Sequence, residues 1–306
     1  MRECKLVILG TGTARPTPRR GCSAAWLQFG GDAVLFDCGE GTQLKVLEAG
    51  LRTSKLQAIC VTHFHGDHVN GLPGFIGTMG LNGHRSPVRL VGPRGLRKWL
   101  AVLRELSILR PAFRLDIAEE NDGLVAQWDD FSIEACPLDH RVPTGGYLFR
   151  EHDLPGRFDV ERARALGVPA GPDFGRLQRG ESVTLPSGQV VAPEQVLGPT
   201  RRGRRIAWIT DTRPSDRVIE FVRGADLLVH EATYLHALVD SAYERGHTTV
   251  QQAAEIAAAA EVKQLVLTHI SPKHTRNREL LDEARPIFEA VRVAEDGAEF
   301  SVEVPA

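Results

Sequence analysis

The chain has 306 residues, of which 42% are hydrophobic and 25% charged, the profile of a globular protein with ample material for a core. A formal net charge of −2 excludes an indiscriminate polycation, so any hold on nucleic acid must come from a local basic surface. No apolar run is long enough to span a membrane, and the opening "MRECKLVILGTGTARP" breaks at Gly10, before it could serve as a secretory signal.

Short β-rich apolar runs come first: "KLVILG", "AAWLQFG", "AVLFDCG", "AICVTH", "VRLVGP", "FRLDI" and "FSIEACPLDH". A second series follows residue 204, in "RIAWITDT", "DLLVHEAT", "QLVLTHIS" and "EFSVEV". Helical periodicity occupies 95–106, 215–223, 248–261 and 278–291, with Thr248 or Thr249 able to cap the third. Strands and helices mix in both series, which predicts an α/β sandwich of two sheets with helices outside, one domain over 1–306. Residues 150–205 differ, being rich in Gly, Pro and Arg and poor in long apolar runs, and read as an inserted arm. The five cysteines (Cys4, Cys22, Cys38, Cys60 and Cys136) are scattered without a CxxC pair. They read as reduced thiols, and the expected location is cytoplasmic.

The stretch "THFHGDHVNG" places His63, His65, Asp67 and His68 within six positions, directly after an apolar strand. A lone histidine is ordinarily a packing or surface residue, but four ligand types in HxHxDH spacing point to a metal. His140 in "CPLDH", Asp211 in "WITDT" and His269 in "VLTHIS" lie at matching strand ends and extend the set to seven. Imidazole and carboxylate suit zinc, with manganese or iron as substitutes. Seven ligands exceed one zinc shell, a carboxylate can bridge two ions, and no cysteine joins the set, so a catalytic two-metal site is expected rather than a closed structural one.

At this point the chain resembles the metallo-β-lactamase superfamily, which implies a four-layer αββα fold. "FDCGEGTQ", "HEATY", "GHTT", "LTHIS" and the insertion "LGVPAGPDFGRLQRGE" are similar to the ribonuclease Z branch, the tRNA 3′-processing endonucleases, over essentially the whole chain. The resemblance implies one zinc on His63, His65 and His140 and a second on Asp67, His68 and His269. Asp211 would bridge them, and Asp67 would accept a proton from the attacking water. It implies Asp37 behind the ligands, orienting a histidine, and Glu231 with His247 as further members of the site. It also implies a flexible arm at 150–205 that binds precursor tRNA, and a homodimer in which one subunit's arm presents RNA to the other. The loop "PTPRRGC" departs from the branch, with Pro18 and Gly21 where Lys and Asn are expected.

A phosphodiester is anionic and weakly electrophilic, so it needs an activated water, charge neutralisation and a proton for the departing 3′-oxygen. His247, oriented by Glu231, is the expected general acid. Arg176, Arg179, Arg201, Arg202, Arg204 and Arg205, with Arg19 and Arg20 near the N-terminus, are the expected phosphate partners. Two rivals stand beside this reading: a small-molecule phosphodiesterase, arylsulfatase or thioester hydrolase of the superfamily, and a catalytically silent RNA-binding subunit.

Overall fold

The computed structural model of the chain describes residues 2–305. Its strands are apolar on both faces, and this dictates the layering. In Cys4–Gly10, Leu6 and Ile8 face one side and Val7 and Leu9 the other, all buried. A strand of this kind must be covered twice.

One seven-stranded sheet runs in the order Glu299–Ser301, Cys4–Gly10, Ala24–Phe29, Asp32–Phe36, Leu56–Cys60, Val88–Val91, Leu115–Ala118. The second runs Val291–Val293, Leu265–Thr268, Leu227–Glu231, Arg205–Ile209, Thr144–Glu151, Phe131–Leu138, Gly123–Gln127. Their inner faces share one core, in which Phe29, Phe36 and Leu27 meet Phe131, Phe149 and Trp208. Phe36 stacks on Trp208 with ring centroids 6.1 Å apart. The buried Tyr147 hydroxyl donates to the Val61 carbonyl at 2.7 Å, satisfying a polar atom that would otherwise be costly there.

The outer face of the first sheet packs under the helices Leu72–Leu81 and Leu96–Glu105, through Phe75, Ile76, Met79 and Leu100. The outer face of the second packs under Asp216–Val222, Val250–Ala259 and Asn277–Ala284, through Val218, Ala253, Ala257 and Leu280. The result is the expected αββα sandwich. Thr249 is the cap of Val250–Ala259, in a capping box with Gln252.

The helix expected over 278–291 stops at Ala284, because Pro286 lacks an amide proton and disfavours helical backbone before it. Three strands carry little sequence signal: Gly123–Gln127, Thr144–Glu151 and Val291–Val293. The second includes Gly145 and Gly146, usually strand-weakening. A Cβ on Gly146 would lie 2.6 Å from Ile209 Cδ1, so close packing explains that glycine.

The chain divides into two compact units: residues up to Arg150 together with Arg205–Glu303, and a second centred on Glu151–Arg204. The insertion is therefore a folded element with its own small core. Ala163, Leu177, Val183 and Val191 are buried in it, and Phe158 lies against Phe174 with centroids 4.9 Å apart. Asp159 caps the helix Val160–Ala165 by accepting from the Arg162 amide. The helix Pro172–Gln178 and the hairpin Val183–Thr184/Val190–Val191 complete it. Bridges between Leu154 and Arg201, and between Phe158 and Leu197, close its base.

Candidate metal centre and catalytic cleft

The expected ligands all lie just beyond strand ends. His63 and His65 follow Leu56–Cys60, and Asp67 and His68 sit on the short helix Gly66–Val69. His140 follows Phe131–Leu138, Asp211 follows Arg205–Ile209, and His269 follows Leu265–Thr268. Parallel pairing of Arg205–Ile209, Leu227–Glu231 and Leu265–Thr268 brings Asp211, Glu231 and His269 to one end of the sheet. Ligands collect at such carboxyl ends because the loops there converge.

Asp211 divides the cluster. Its Oδ2 lies 3.6 Å from His63 Nε2 and 3.8 Å from His140 Nε2, and the His140 nitrogen is 3.4 Å from His65 Nδ1. Its Oδ1 lies 3.4 Å from His68 Nε2 and 3.3 Å from His269 Nε2, and the His269 nitrogen is 3.3 Å from Asp67 Oδ2. His63, His65 and His140 thus face one carboxylate oxygen, and Asp67, His68 and His269 face the other. Zinc–nitrogen bonds of about 2.0–2.1 Å in a tetrahedron separate ligand atoms by roughly 3.3–3.4 Å, and most of these separations fall near that value.

The electrostatics also require a cation. Asp37, Asp67 and Asp211 are buried or half-buried, and their recorded partners are histidines, hydroxyls, backbone amides and Trp208, with no lysine or arginine among the described residues. Asp211 Oδ1 is buried without a hydrogen-bond partner. Burial disfavours a His68 imidazolium, yet the charges of Asp211 and Asp37 raise it to about 10, as in a pocket short of positive charge. His63 is pushed well below its usual range, by burial first and by His68 and His65 next, which keeps its lone pair free for coordination. Carboxylates buried this way are uncompensated until a divalent cation binds, so the cluster is a divalent-metal site.

The backbone is strained to build it. Six non-glycine residues among those described have positive φ, and four lie here: Ala14 at 63°, Asp37 at 55°, Asp211 at 39° and His269 at 56°. The Ala14 amide donates to Asp67 Oδ2 at 2.6 Å. Gly39, within "FDCGEG", passes the ligand turn so closely that a Cβ there would lie 2.2 Å from the Asp67 carbonyl oxygen.

Partners behind the ligands fix the rings. His68 Nδ1 pairs with Asp37 Oδ2 at 2.8 Å, and Asp37 also accepts from the Thr62 amide and Trp208 Nε1. His140 Nδ1 donates to the Gly246 carbonyl at 2.7 Å. Each contact leaves Nε2 facing the cluster. Glu231 is fully buried, and it accepts from the Thr212 amide at 2.8 Å, from Thr233 Oγ1 and from His247 Nδ1 at 3.0 Å. Burial lowers the His247 pKa, but the charge and hydrogen bond of Glu231 outweigh it and lift the imidazolium to about 9. The His247 ring centroid lies 5.2 Å from His140 and 5.6 Å from His269.

A cleft of about 530 Å³ opens over the cluster, lined by His65, His140 and His247. Arg15, Arg141 and Arg245 also line it, and the sequence reading did not single them out. Only their nearness to ligand positions could have flagged them, since an isolated arginine carries no periodic signal.

The expected phosphate partners divide by their environment. Arg176 and Arg179 are exposed and share Glu181, in surface pairs weak enough to exchange for phosphate. Arg201 is half-buried, its Nε donating to the Pro155 carbonyl, and Arg202 is half-buried and donates to the Gly203 carbonyl. Arg204 corrects the expectation. It is 2% exposed and bound to both oxygens of Glu151, at 2.7 and 2.9 Å, so its guanidinium is committed inside the second unit. Arg205 is half-buried in its strand, paired in register with Arg150. Arg20 is a second correction: it donates to Thr11 Oγ1, the Ala294 carbonyl and Asn277 Oδ1, pinning the N-terminal loop. Gly21, where the resemblance expects Asn, gives its amide to Asp296 at 2.6 Å in the same network. Arg19 remains exposed, with one bond to the Thr275 carbonyl.

A family model described as the beta-lactamase superfamily domain matches residues 32–270. A ribonuclease Z from Myxococcus xanthus is 42% identical over 307 residues, covering 100% of this chain and 99% of that protein. A ribonuclease Z from Acaryochloris marina is 40% identical over 97% of both chains. The crystal structure of the short form of human tRNase Z matches with a TM-score of 0.71 and 30% identity, over 98% of this chain and 100% of that one. With the fold, the divided metal cluster and these full-length relatives in agreement, the chain belongs to the ribonuclease Z family of the metallo-β-lactamase superfamily.

Proposed function

We propose that the protein is a metal-dependent endoribonuclease that removes the 3′ trailer of precursor tRNA. It hydrolyses one phosphodiester after the discriminator base and leaves a 3′-hydroxyl on the tRNA. The observation that carries this reading is the junction, in one cleft, of the cluster divided by Asp211 with the His247–Glu231 pair, in a chain matching ribonuclease Z proteins end to end.

In this reading His63, His65 and His140 would hold one zinc ion and Asp67, His68 and His269 a second, with Asp211 able to serve both; manganese could take the same oxygen and nitrogen ligands. When bound, the ions supply Lewis acidity, bringing the pKa of water from 15.7 toward about 7 and neutralising charge on the phosphoryl oxygens. Asp67, fixed by the Ala14 amide, accepts the proton of the attacking water. Asp37 holds His68 in the coordinating tautomer. His247, kept protonated by Glu231, gives its proton to the departing 3′-oxygen.

The second unit binds the tRNA, through Arg176, Arg179, Arg201 and Arg202, with Arg205 and Arg19 of the first unit as further phosphate partners. The enzyme acts as a homodimer in which one subunit's arm serves its partner's site. It works in the cytoplasm, a reading supported by five buried cysteines that form no disulfide. Purified protein given a precursor with a 3′ trailer should cut it, and a chelator should stop the reaction. An intact precursor in the presence of added zinc or manganese would defeat the reading.

A further inference from the structure

The cleft over the metal cluster presents three arginines and three histidines, and its lining contains no aspartate or glutamate. In a protein of net charge −2 the three arginines make this wall locally basic, beside the buried carboxylates beneath it. Arg141 and Arg245 show it most clearly. Both are exposed, and neither guanidinium makes a hydrogen bond or ion pair among the described residues. Their neighbour Arg213 is by contrast bound to Asp139 at 2.9 Å.

The chain sets these two arginines beside the proton donor. Arg141 directly follows His140, and Arg245 is separated from His247 only by Gly246. Gly246 has φ of 78° and accepts the His140 Nδ1 bond, and a Cβ there would lie 3.3 Å from Arg141 Cγ. The glycine therefore lets the Arg141 stem cross the turn between Arg245, the last residue of the helix Val239–Arg245, and His247, so the two arginines come from different elements to one wall of the cleft.

We propose that Arg141 and Arg245 together bind the phosphate on the 5′ side of the scissile bond, one nucleotide upstream, in a single-stranded RNA 3′ end. The inference rests on the RNA-cleaving reading above. Direction follows from the chemistry: His247 protonates the leaving 3′-oxygen, so the nucleotide bearing that oxygen lies on the His247 side. The next phosphate on that strand is the one that nucleotide carries at its 5′ position. Two forked guanidiniums suit a phosphate's oxygens, and the contact positions the strand without reading its sequence.

A double-mutant cycle between protein and RNA tests the pairing. Precursor tRNA is prepared with one neutral methylphosphonate, either at the phosphate 5′ of the cut or at the first phosphate beyond it in the trailer. Wild-type kcat/KM should fall about tenfold or more for the first substitution, the scale of a lost charge-assisted hydrogen bond. The Arg141→Ala/Arg245→Ala variant should show a similar fall on the all-phosphate precursor and little further loss from the 5′ methylphosphonate. The trailer methylphosphonate should keep its full cost in that variant. No penalty in the wild type at the 5′ position, or penalties that multiply in the variant, would overturn the proposal while leaving the RNA reading intact. Failure of the wild type to cut the unmodified precursor would overturn the RNA reading and this proposal together.

Discussion

Asp211 is held at a φ of 39° with its two oxygens turned to different sets of ligands, a conformation the surroundings must enforce. Asp211→Asn keeps the shape and removes one negative charge and one ligand oxygen. If the cluster holds two ions as proposed, metal content should drop to one or fewer per chain. Loss of an ion bound well above its Kd removes about 3–4 kcal/mol, so the melting temperature should fall by roughly 5–10 °C. Elemental analysis beside a thermal melt checks both, and unchanged metal content would remove Asp211 from the bridge. His247→Ala should lower turnover by about 10²–10⁴-fold with metal content unchanged, as for a lost general acid. Because Glu231 lifts His247 to about 9, its acid form persists at neutral pH and is lost as pH rises through that value. The wild-type rate should therefore decline above about pH 9, and the alanine variant should lack that limb. At this scale "HxHxDH" was legible because all its ligands sit within one turn. Arg141 and Arg245 were not legible, since only the fold makes them neighbours.

Among the elements, most strands with continuous apolar runs declared themselves, whereas Gly123–Gln127, the glycine-bearing Thr144–Glu151 and the three-residue Val291–Val293 did not. Thr144–Glu151 owes its place to packing against Arg205–Ile209 rather than to β propensity. The insertion read as an arm, but its Gly and Pro content hid its internal order: a few spaced residues, among them Ala163, Leu177, Val183 and Val191, close a small core. Composition averages over the segment and cannot see that these side chains meet. Nor is the unit strongly basic, since eight arginines in 151–204 are matched by seven carboxylates, and Arg204 is consumed by Glu151. The proposed hold on RNA would then rest on a few exchangeable surface pairs, such as those of Arg176 and Arg179 with Glu181. The bridge between Leu154 and Arg201 marks where the unit can be removed with least disturbance to the strands outside it.

In the whole molecule, bond breaking falls to the metal cluster, and the choice of bond is proposed to fall to the surfaces that hold RNA. A homodimer should sediment at twice the 33.6 kDa chain mass, and a monomer fully active on precursor tRNA would remove the arm-in-trans arrangement. A limited set of phosphate contacts should give a log–log slope of precursor kcat/KM against salt of about −3 to −5, shallower than that of strongly basic nucleic-acid binders. The most direct test compares two substrates in two proteins: precursor tRNA and bis(p-nitrophenyl) phosphate, with the intact chain and with a chain in which 155–200 is replaced by a short glycine linker. The account predicts that the deletion abolishes trailer removal, by at least about 100-fold in kcat/KM, while hydrolysis of the small diester continues at a comparable rate. Trailer removal that survives the deletion would contradict it.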